Sequence, residues 1–337
     1  MKTTVSTVAV LALVATMSSA ARADERHFDR TLDVSPGGRL TVDADGADVT
    51  VTGGEGQQVV VHVTATGSTS SLENLTFSAD KSADGVTVIA KRKGYLGGML
   101  RFSTGELTVV VTVPKPYGAD VHTSGGNLVF GQLQGDVTGK TSGGDVRVDN
   151  VQGPVNMSTS GGDVRLEQIQ GRVEAKSSGG DMSARNVRGD IDIATSGGTV
   201  RAEQITGASK LRSSGGDIVV QQASGPMVAR TTGGDVKLEQ MDGAVQASTS
   251  GGRVTVELLG TNRGIDVSTS GSDIVLVLPA AVTATLDAST GSGRVKSDLP
   301  ITGKLEGNSG AHGTINGGGA PIRAKTSGGD ISLKTGR

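Results

Sequence analysis

Aspartates that follow Gly-Gly pairs are the residues of this sequence whose type and spacing best suit metal chemistry. They are Asp145, Asp163, Asp181, Asp217, Asp235 and Asp330. Calcium-binding solenoids use the repeat GGxGxDxUx, in which successive turns supply carboxylate and carbonyl oxygens to the ion. This chain has the Gly-Gly but lacks the paired Gly-x-Asp, and Asn127, Thr199 and Arg253 interrupt the series. We therefore interpret these aspartates as acceptors for turn amides, with a calcium-dependent β-roll as an alternative.

Acid–base catalysis is the second chemistry to consider, because carbohydrate-active enzymes on β-helix scaffolds gather carboxylates on one exposed sheet. The charged residues here instead form two repeating columns, Arg147, Arg165, Arg201 and Lys237, and then Asp149, Glu167, Glu203 and Glu239. Each acid has a base beside it, which is typical of a solvated face. The histidines His27, His62, His122 and His312 are far apart and lack metal spacing. The sequence favours a protein that is not an enzyme and has no cofactor, with a carbohydrate-active enzyme as the alternative.

An 18-residue repeat must position all of these side chains. Blocks such as TSGGDV and SSGGDM begin at Thr123, Thr141, Thr159, Ser177, Thr195, Ser213, Thr231 and Thr249, and each start lies 18 residues after the one before. A fixed period with glycines at fixed phase indicates that the repeat is the unit of structure. Residues 123–252 are therefore predicted to form regular coils, with irregular coils at 24–122 and degenerate coils at 253–337.

Apolar columns show how each coil folds. One column is Leu128, Val146, Val164, Met182, Val200, Ile218, Val236 and Val254; others follow at alternate positions and again after a single glycine. Alternation with a period of two predicts short strands with one buried face. The Gly-Gly and the single glycine would be the corners, because glycine tolerates positive φ and close backbone approach. We predict an all-β fold, a parallel β-solenoid of 18-residue coils with two short strands per coil and glycine corners.

The first 23 residues and the composition indicate an exported protein. Lys2, the apolar stretch 5–17 and Ala21-Arg22-Ala23 match a cleaved secretory signal, so the mature chain is expected to begin at Asp24. The apolar stretch is too short to span a bilayer, so no transmembrane anchor is expected in the mature chain. There is no cysteine, and the net charge is −2. These features favour a periplasmic or extracellular location and no nucleic-acid partner.

An insertion at 91–102 interrupts the strand pattern and is the candidate partner-binding loop. Its candidate contact residues are Lys91, Arg92, Lys93, Tyr95, Leu96, Met99, Leu100, Arg101 and Phe102. Basic residues interleaved with apolar ones are typical of a projecting loop that touches a membrane surface or partner. Alternatively, the apolar residues cap the open core of the solenoid, as every solenoid requires. The sequence favours the cap.

Several longer motifs carry a family resemblance. They are GGRLTVDADGADVTV, VTVPKPYGADVHTSGGNL, the repeated SGGDV, DASTGSGRVKSDLP and INGGGAPIRAKTSGGDISL. Together they resemble the bacterial family of exported β-strand-repeat proteins known as DUF4097, often labelled adhesins, over essentially the whole mature chain. The resemblance implies a β-solenoid at the envelope or outside the cell, and it carries over no catalytic residue. We expect a structural or adhesin-like scaffold whose partner is an envelope polysaccharide, peptidoglycan or a surface protein.

Overall fold

Two large β-sheets packed face to face make up the protein. The computed structural model describes residues 24–93 and 105–336, and in this part of the chain sheet A has 15 strands and sheet B has 16. Buried side chains from both sheets form one continuous hydrophobic core. This confirms the predicted all-β solenoid.

Each regular coil contributes a longer strand to sheet A and a shorter one to sheet B. The strands of sheet A are β9 (Leu128–Gln134), β11 (Val146–Gln152), β13 (Val164–Gln170), β15 (Met182–Arg188), β17 (Val200–Thr206), β19 (Ile218–Ser224), β21 (Val236–Asp242) and β23 (Val254–Leu258). Those of sheet B are β8 (Gly118–Thr123), β10 (Val137–Lys140), β12 (Val155–Ser158), β14 (Val173–Ser177), β16 (Ile191–Thr195), β18 (Ser209–Arg212), β20 (Met227–Arg230) and β22 (Val245–Ser248). Pairing is parallel, and up to β21 it is in register: Val146 lies between Leu128 and Val164, one repeat away on either side. The register shifts by one residue where β21 pairs with β23.

The core is filled by matching large side chains of one sheet to small ones of the other within each coil. A Cβ built on Gly139 of sheet B would lie 2.9 Å from Cε2 of Phe130 in sheet A, so these two positions face each other. The 18-residue register repeats this pairing as Phe130 with Gly139, Val148 with Met157, Leu166 with Ala175, Ala184 with Ile193, Ala202 with Leu211, Val220 with Ala229, and Leu238 with Ala247. In most of these pairs a large side chain faces a small one, which is one way to reach close packing between two sheets, while Met157 faces Val148, a residue of intermediate size.

Ser209 is the polar exception in an otherwise apolar column. It pairs with Ile191 and Met227 in sheet B, is 3% exposed, and its hydroxyl has no hydrogen-bond partner among the described residues. An unpaired buried hydroxyl costs about 1–3 kcal/mol. We expect Ser209→Val to raise the free energy of unfolding by about 1 kcal/mol or more. Urea denaturation followed by circular dichroism measures this, and a loss of stability would show that the hydroxyl has a partner.

Close backbone approach excludes side chains at both glycine corners, and the single-glycine corner adds a positive φ. At the single-glycine corner, Gly171 and Gly189 have φ of +157° and +147°, which glycine adopts without strain. At the Gly-Gly corner the second glycine is constrained by space, because a Cβ on Gly162 would overlap the carbonyl oxygen of Gly144 in the preceding coil. A Cβ on Gly171 would likewise overlap the carbonyl oxygen of Gly153, so both corners of the predicted coil are present and both exclude side chains by close stacking.

The N-terminal end is built from strands whose spatial order differs from their order in the chain. They are β1 (Asp24–Asp33), β2 (Arg39–Ala44), β3 (Asp48–Gly54), β4 (Gln58–Gly67), β5 (Leu75–Lys81), β6 (Gly85–Arg92) and β7 (Leu107–Pro114), with α1 (Thr69–Glu73) between β4 and β5. The coil of β2 and β3 lies between β8–β9 and β6–β7. Beyond it, β4 with β1 and β5 extend the two sheets by antiparallel pairing.

The helix α1 and strands β1 and β5 bring apolar side chains to the N-terminal end of the core. Leu72 of α1 is buried, and Phe28 and Phe77 pack against the core with ring centroids 6.1 Å apart. The Arg26 guanidinium lies 4.8 Å from the centre of the Phe77 ring and donates hydrogen bonds of 2.9 and 2.8 Å to the carbonyls of Leu72 and Leu75. The sequence analysis assigned the cap to the 91–102 insertion, and it missed this group.

The C-terminal end is likewise built out of chain order. Its strands are β24 (Ile265–Thr269), β25 (Ile274–Leu278), β26 (Ala284–Thr290), β27 (Val295–Ser297), β28 (Ile301–Glu306), β29 (Gly310–Ile315), β30 (Pro321–Thr326) and β31 (Ile331–Thr335). The last coil, β30 with β31, is inserted between β24–β25 and β26–β27. The hairpin of β28 and β29 pairs with β26 in the antiparallel direction.

Candidate functional site

The aspartates at the Gly-Gly corner form a hydrogen-bonded ladder along the solenoid. Oδ1 of Asp145 accepts a 2.8 Å bond from the backbone N–H of Asp163, and Oδ1 of Asp163 accepts one of 2.7 Å from Asp181. The same contact is made by Asp181, Asp217, Asp235 and Asp330. Each carboxylate thus links its coil to the next, which is the role that the sequence analysis favoured over calcium binding.

The threonine and serine column beside these aspartates is also structural. Thr159 donates a 2.9 Å bond to the carbonyl of Gly144 in the preceding coil and accepts one of 3.3 Å from the N–H of Gly162. Equivalent bonds recur from Thr141 to Thr249. The hydroxyls are buried, so these bonds satisfy corner groups that water does not reach.

Chelation therefore should not unfold the protein. The aspartate oxygens that link the coils already accept backbone hydrogen bonds, so the ladder does not depend on a cation. We expect EDTA to leave the far-ultraviolet circular dichroism and the melting temperature of residues 24–337 unchanged. Loss of the β-signal with EDTA and its return with calcium would instead support the calcium-dependent β-roll.

Ion pairs connect charged side chains on the outer face of sheet A, although in the described residues only one of the four base–acid pairs expected within a coil is formed; Arg147 instead pairs with Glu167 of the next coil. Arg185 pairs with Glu203 at 2.9 Å, and Lys237 pairs with Glu239 at 2.7 Å. The hydrogen bond from Lys237 holds the pKa of the Glu239 carboxyl below its usual range. Among residues 24–93 and 105–336, no group of three or more acidic, histidine or cysteine side chains is arranged to hold a metal.

The structure describes the first three residues of the candidate loop, at the end of β6. Lys91 forms an ion pair with Asp43, and the Asp43 hydrogen bond raises the pKa of the lysine. The backbone N–H of Arg92 bonds to Asp45, and that of Lys93 bonds to the carbonyl of Asn74. Tyr95, Leu96, Met99, Leu100, Arg101 and Phe102 lie outside the described residues. The binding role of this loop stays a prediction.

A column of side-chain amides is the feature that sequence reasoning missed. Gln132, Asn150, Gln168, Asn186, Gln204, Gln222 and Gln240 all have φ between 54° and 58°. Each interrupts its sheet A strand; in β11, for example, Asp149 and Val151 have partners in β13 but Asn150 does not. The left-handed residue bends the strand and turns its own side chain outward, so two successive side chains face solvent. The 18-residue period of Asn and Gln was the available signal.

These amides form one wall of a groove that we name the amide groove. Its amide wall is Asn150, Gln168, Asn186, Gln204, Gln222 and Gln240, and its second wall is Gln170, Arg188, Thr206, Ser224 and Asp242. Ile205 and Ala223 form the floor, and Leu259, which is 64% exposed, ends the groove. The volume is about 770 Å³. Because the coils are stacked in register, the walls run parallel to the solenoid axis.

A second groove follows the Gly-Gly side of sheet B, but its charged side chains already have hydrogen-bond partners. It is lined by serine and threonine hydroxyls together with Lys176, Arg212 and Arg230. Lys176 bonds to Glu174 at 2.6 Å, Arg212 bonds to Asp192 at 2.7 Å, and Arg230 donates to Gln246. The amide groove is therefore the better candidate for binding a partner.

The bend at the amide column should tolerate glycine better than a branched residue. Gln204 has φ of 56°, a conformation that costs a β-branched residue about 1–2 kcal/mol but costs glycine almost nothing. We expect Gln204→Val to lower the free energy of unfolding by about 1–2 kcal/mol and Gln204→Gly to leave it nearly unchanged. Urea denaturation compares the two variants. Equal losses in both would contradict the left-handed bend.

The fold and its grooves define a class of protein, a parallel β-solenoid with repeated outer ladders. The chain matches the family described as Toastrack DUF4097 over residues 38–226 and 224–334, and it belongs to that family. This confirms the resemblance drawn from the sequence motifs. The search of curated proteins found no match. In the described part of the chain, no helix has the length and apolar character needed to cross a membrane.

Several solved structures are similar to this chain, among them proteins from Parabacteroides distasonis and Bacteroides fragilis. One is described as a "putative adhesin" from Parabacteroides distasonis, with 13% identity, a TM-score of 0.33, and coverage of 91% of this chain and 97% of its own. Another, from Bacteroides fragilis, has the same description, with 12% identity, a TM-score of 0.29, and coverage of 91% and 97%. A third, from Parabacteroides distasonis, is described as a "putative lipid binding protein", with 13% identity, a TM-score of 0.31, and coverage of 92% and 97%.

Proposed function

We propose that the protein is an exported, non-catalytic scaffold that binds a partner at the cell envelope or outside the cell, in the manner of an adhesin. The observation that carries this proposal is the uniformity of its outer surface. Hydrogen-bonded aspartates and the amide wall each repeat from coil to coil, and ion pairs link neighbouring coils on the outer face of sheet A. A repeated surface suits an extended partner, which can make the same contact many times.

An enzyme on this scaffold would need a unique constellation of titratable groups. A general acid for glycoside hydrolysis also needs a carboxyl with a raised pKa. Here the pKa values of Glu174, Glu239 and Asp330 are all lowered, because a hydrogen bond from a neighbouring lysine stabilises each charged form. This direction supports a structural role for these carboxylates and favours the scaffold over the carbohydrate-active enzyme.

The proposal includes export through a cleaved signal at residues 1–23, which lie outside the described residues. Envelope polysaccharide, peptidoglycan and surface proteins are the partner classes that such a location would offer. Nucleic acid is not among them, because the chain has 34 acidic against 32 basic side chains.

A co-sedimentation assay tests this function. Purified residues 24–337 are mixed with insoluble cell-wall polysaccharide, peptidoglycan sacculi and membrane-free surface-protein extract, and release of reducing sugar is measured in the same samples. We expect saturable sedimentation with at least one preparation and no sugar release. Sugar release that disappears when a single carboxylate is replaced would establish the enzyme instead. Failure to sediment with any preparation would refute the scaffold proposal.

A further inference from the structure

We propose that the amide groove binds an extended, uncharged, β-1,4-linked polysaccharide, with one sugar residue lying against each coil. This inference rests on the proposed function and adds to it both the site and the class of partner.

The amide side chains are present where the backbone alone would favour another residue. A φ near 55° is most easily adopted by glycine and then by asparagine. The chain has 53 glycines and uses them at both corners, yet at this position it has glutamine at Gln168, Gln204, Gln222 and Gln240 in the groove. A side-chain amide is thus present at all six positions of the groove, and at four of them it is the longer glutamine, which indicates that the side chain itself is needed.

Within the part of the chain that the structure describes, the side chains of these amides form no hydrogen bonds. All six are exposed, and the side-chain hydrogen bonds of the described residues do not include them. The adjacent column differs, since Gln221 donates to Glu239 at 3.1 Å. Each free amide offers one carbonyl acceptor and two N–H donors. Sugar hydroxyls both donate and accept, so they match this wall in a way that a purely anionic or cationic partner does not.

The charge of the groove favours an uncharged partner. Among the described residues that line it, only Arg188 and Asp242 are ionised, and their opposite charges cancel. They lie three coils apart, and the positions between them in the same wall are Thr206 and Ser224. The exposed face of Leu259 at one end can pack against the C–H face of a sugar ring.

The spacing of the amides along the groove fits an extended glycan better than an extended peptide. Paired strands lie about 4.8 Å apart, so the six amides form a row about 24 Å long. A sugar in an extended β-1,4-linked chain advances by nearly this strand spacing, and one residue can meet each coil. An extended peptide advances about 3.3 Å per residue, so its carbonyls and amides would lose register with the row after one or two coils.

Isothermal titration calorimetry with defined oligosaccharides tests the inference on the intact mature chain, residues 24–337. The probes are cellohexaose and chitohexaose, their disaccharides, and maltohexaose, whose α-1,4 links curve the chain. We expect at least one β-linked hexaose to bind about tenfold or more tightly than its disaccharide, because the hexaose reaches several amides. Maltohexaose should bind no more tightly than a disaccharide.

Two variants remove the amide chemistry while keeping the backbone bend. Asn186→Gly, Gln204→Gly and Gln222→Gly combined should weaken hexaose binding about tenfold or more with an unchanged circular dichroism spectrum. Gln204→Glu with Gln222→Glu keeps the side-chain size but removes the N–H donors, and it should weaken binding in the same direction. The control is Ser178→Ala, Ser196→Ala and Ser214→Ala on the Gly-Gly side, which should bind as the parent does.

The outcomes separate this inference from the function on which it rests. The inference is overturned if no β-linked hexaose binds, if the disaccharides bind as tightly, or if the amide variants bind like the parent. If the protein still sediments with an envelope preparation in those cases, the scaffold function stands and its site lies elsewhere. If it sediments with none, both proposals fail together.

Discussion

Replacing Leu166 by alanine is expected to lower the free energy of unfolding by about 2–5 kcal/mol, and adding Ala175→Leu should restore most of it. Leu166 is 1% exposed. It lies two repeats after Phe130, and Ala175 lies two repeats after Gly139, so these two residues face each other across the core as Phe130 and Gly139 do. The single change Ala175→Leu should itself destabilise by about 1–3 kcal/mol through overpacking. The second leucine fills the cavity left by the first only when both changes are present.

A double-mutant cycle measures this compensation by urea denaturation of the parent, both single variants and the double variant. The exposed neighbour Arg165→Ala serves as the control and should change stability little. Simple addition of the two single effects would mean that the facing positions do not share one volume, and the matched core described above would be wrong.

At one Gly-Gly corner, alanine should destabilise the protein at the second glycine and have little effect on stability at the first. A Cβ on Gly162 would overlap the carbonyl oxygen of Gly144, whereas a Cβ on Gly161 would lie 3.6 Å from that of Gly143, an ordinary contact. Gly162→Ala is expected to cost about 1–3 kcal/mol, because backbone must move in two adjacent coils.

Gly161→Ala is the matched control, since it makes the same chemical change one residue away and should cost little. Its φ is not positive, so no backbone strain is added. Thermal melts of the two variants should differ by several degrees, given about 2–4 °C per kcal/mol for a chain of this order of size. Equal melting temperatures would contradict the close stacking of the corners.

The regular coils could be predicted because one number, the 18-residue period, places every residue of a coil. Once Val146 is aligned with Val164, the strands, their buried faces, the two corners and the aspartate ladder all follow. The same period contained the amide column, but apolar and charged columns alone do not show that Asn150 and its equivalents are left-handed. That conformation accompanies the bend of the strand. A glutamine in the sequence does not indicate a positive φ, as a glycine would.

The ends of the solenoid could not be predicted, because there the period is absent and spatial order departs from chain order. Helix α1 is only five residues long, too short for an apolar periodicity to appear. The cap depends on Arg26, Phe28 and Phe77, which come together only through antiparallel pairing of β1 with β4 and β5 with β6. The insertion at 91–102 drew attention by its composition, and only its first three residues are described.

The insertion of β30 and β31 into the stack has a consequence for how the protein is made. A growing chain presents β24 to β29 before residues 321–335 exist, and until then Ile274 and Val295 lack the Ile331 that lies between them. Until then the facing edges of β24 and β26 have no partner, because β30 lies between them, and unpaired strand edges promote aggregation. The final coil therefore completes the stack. A product cut short before Pro321 has a gap between β24–β25 and β26–β27, and proteases can distinguish it from the full-length molecule.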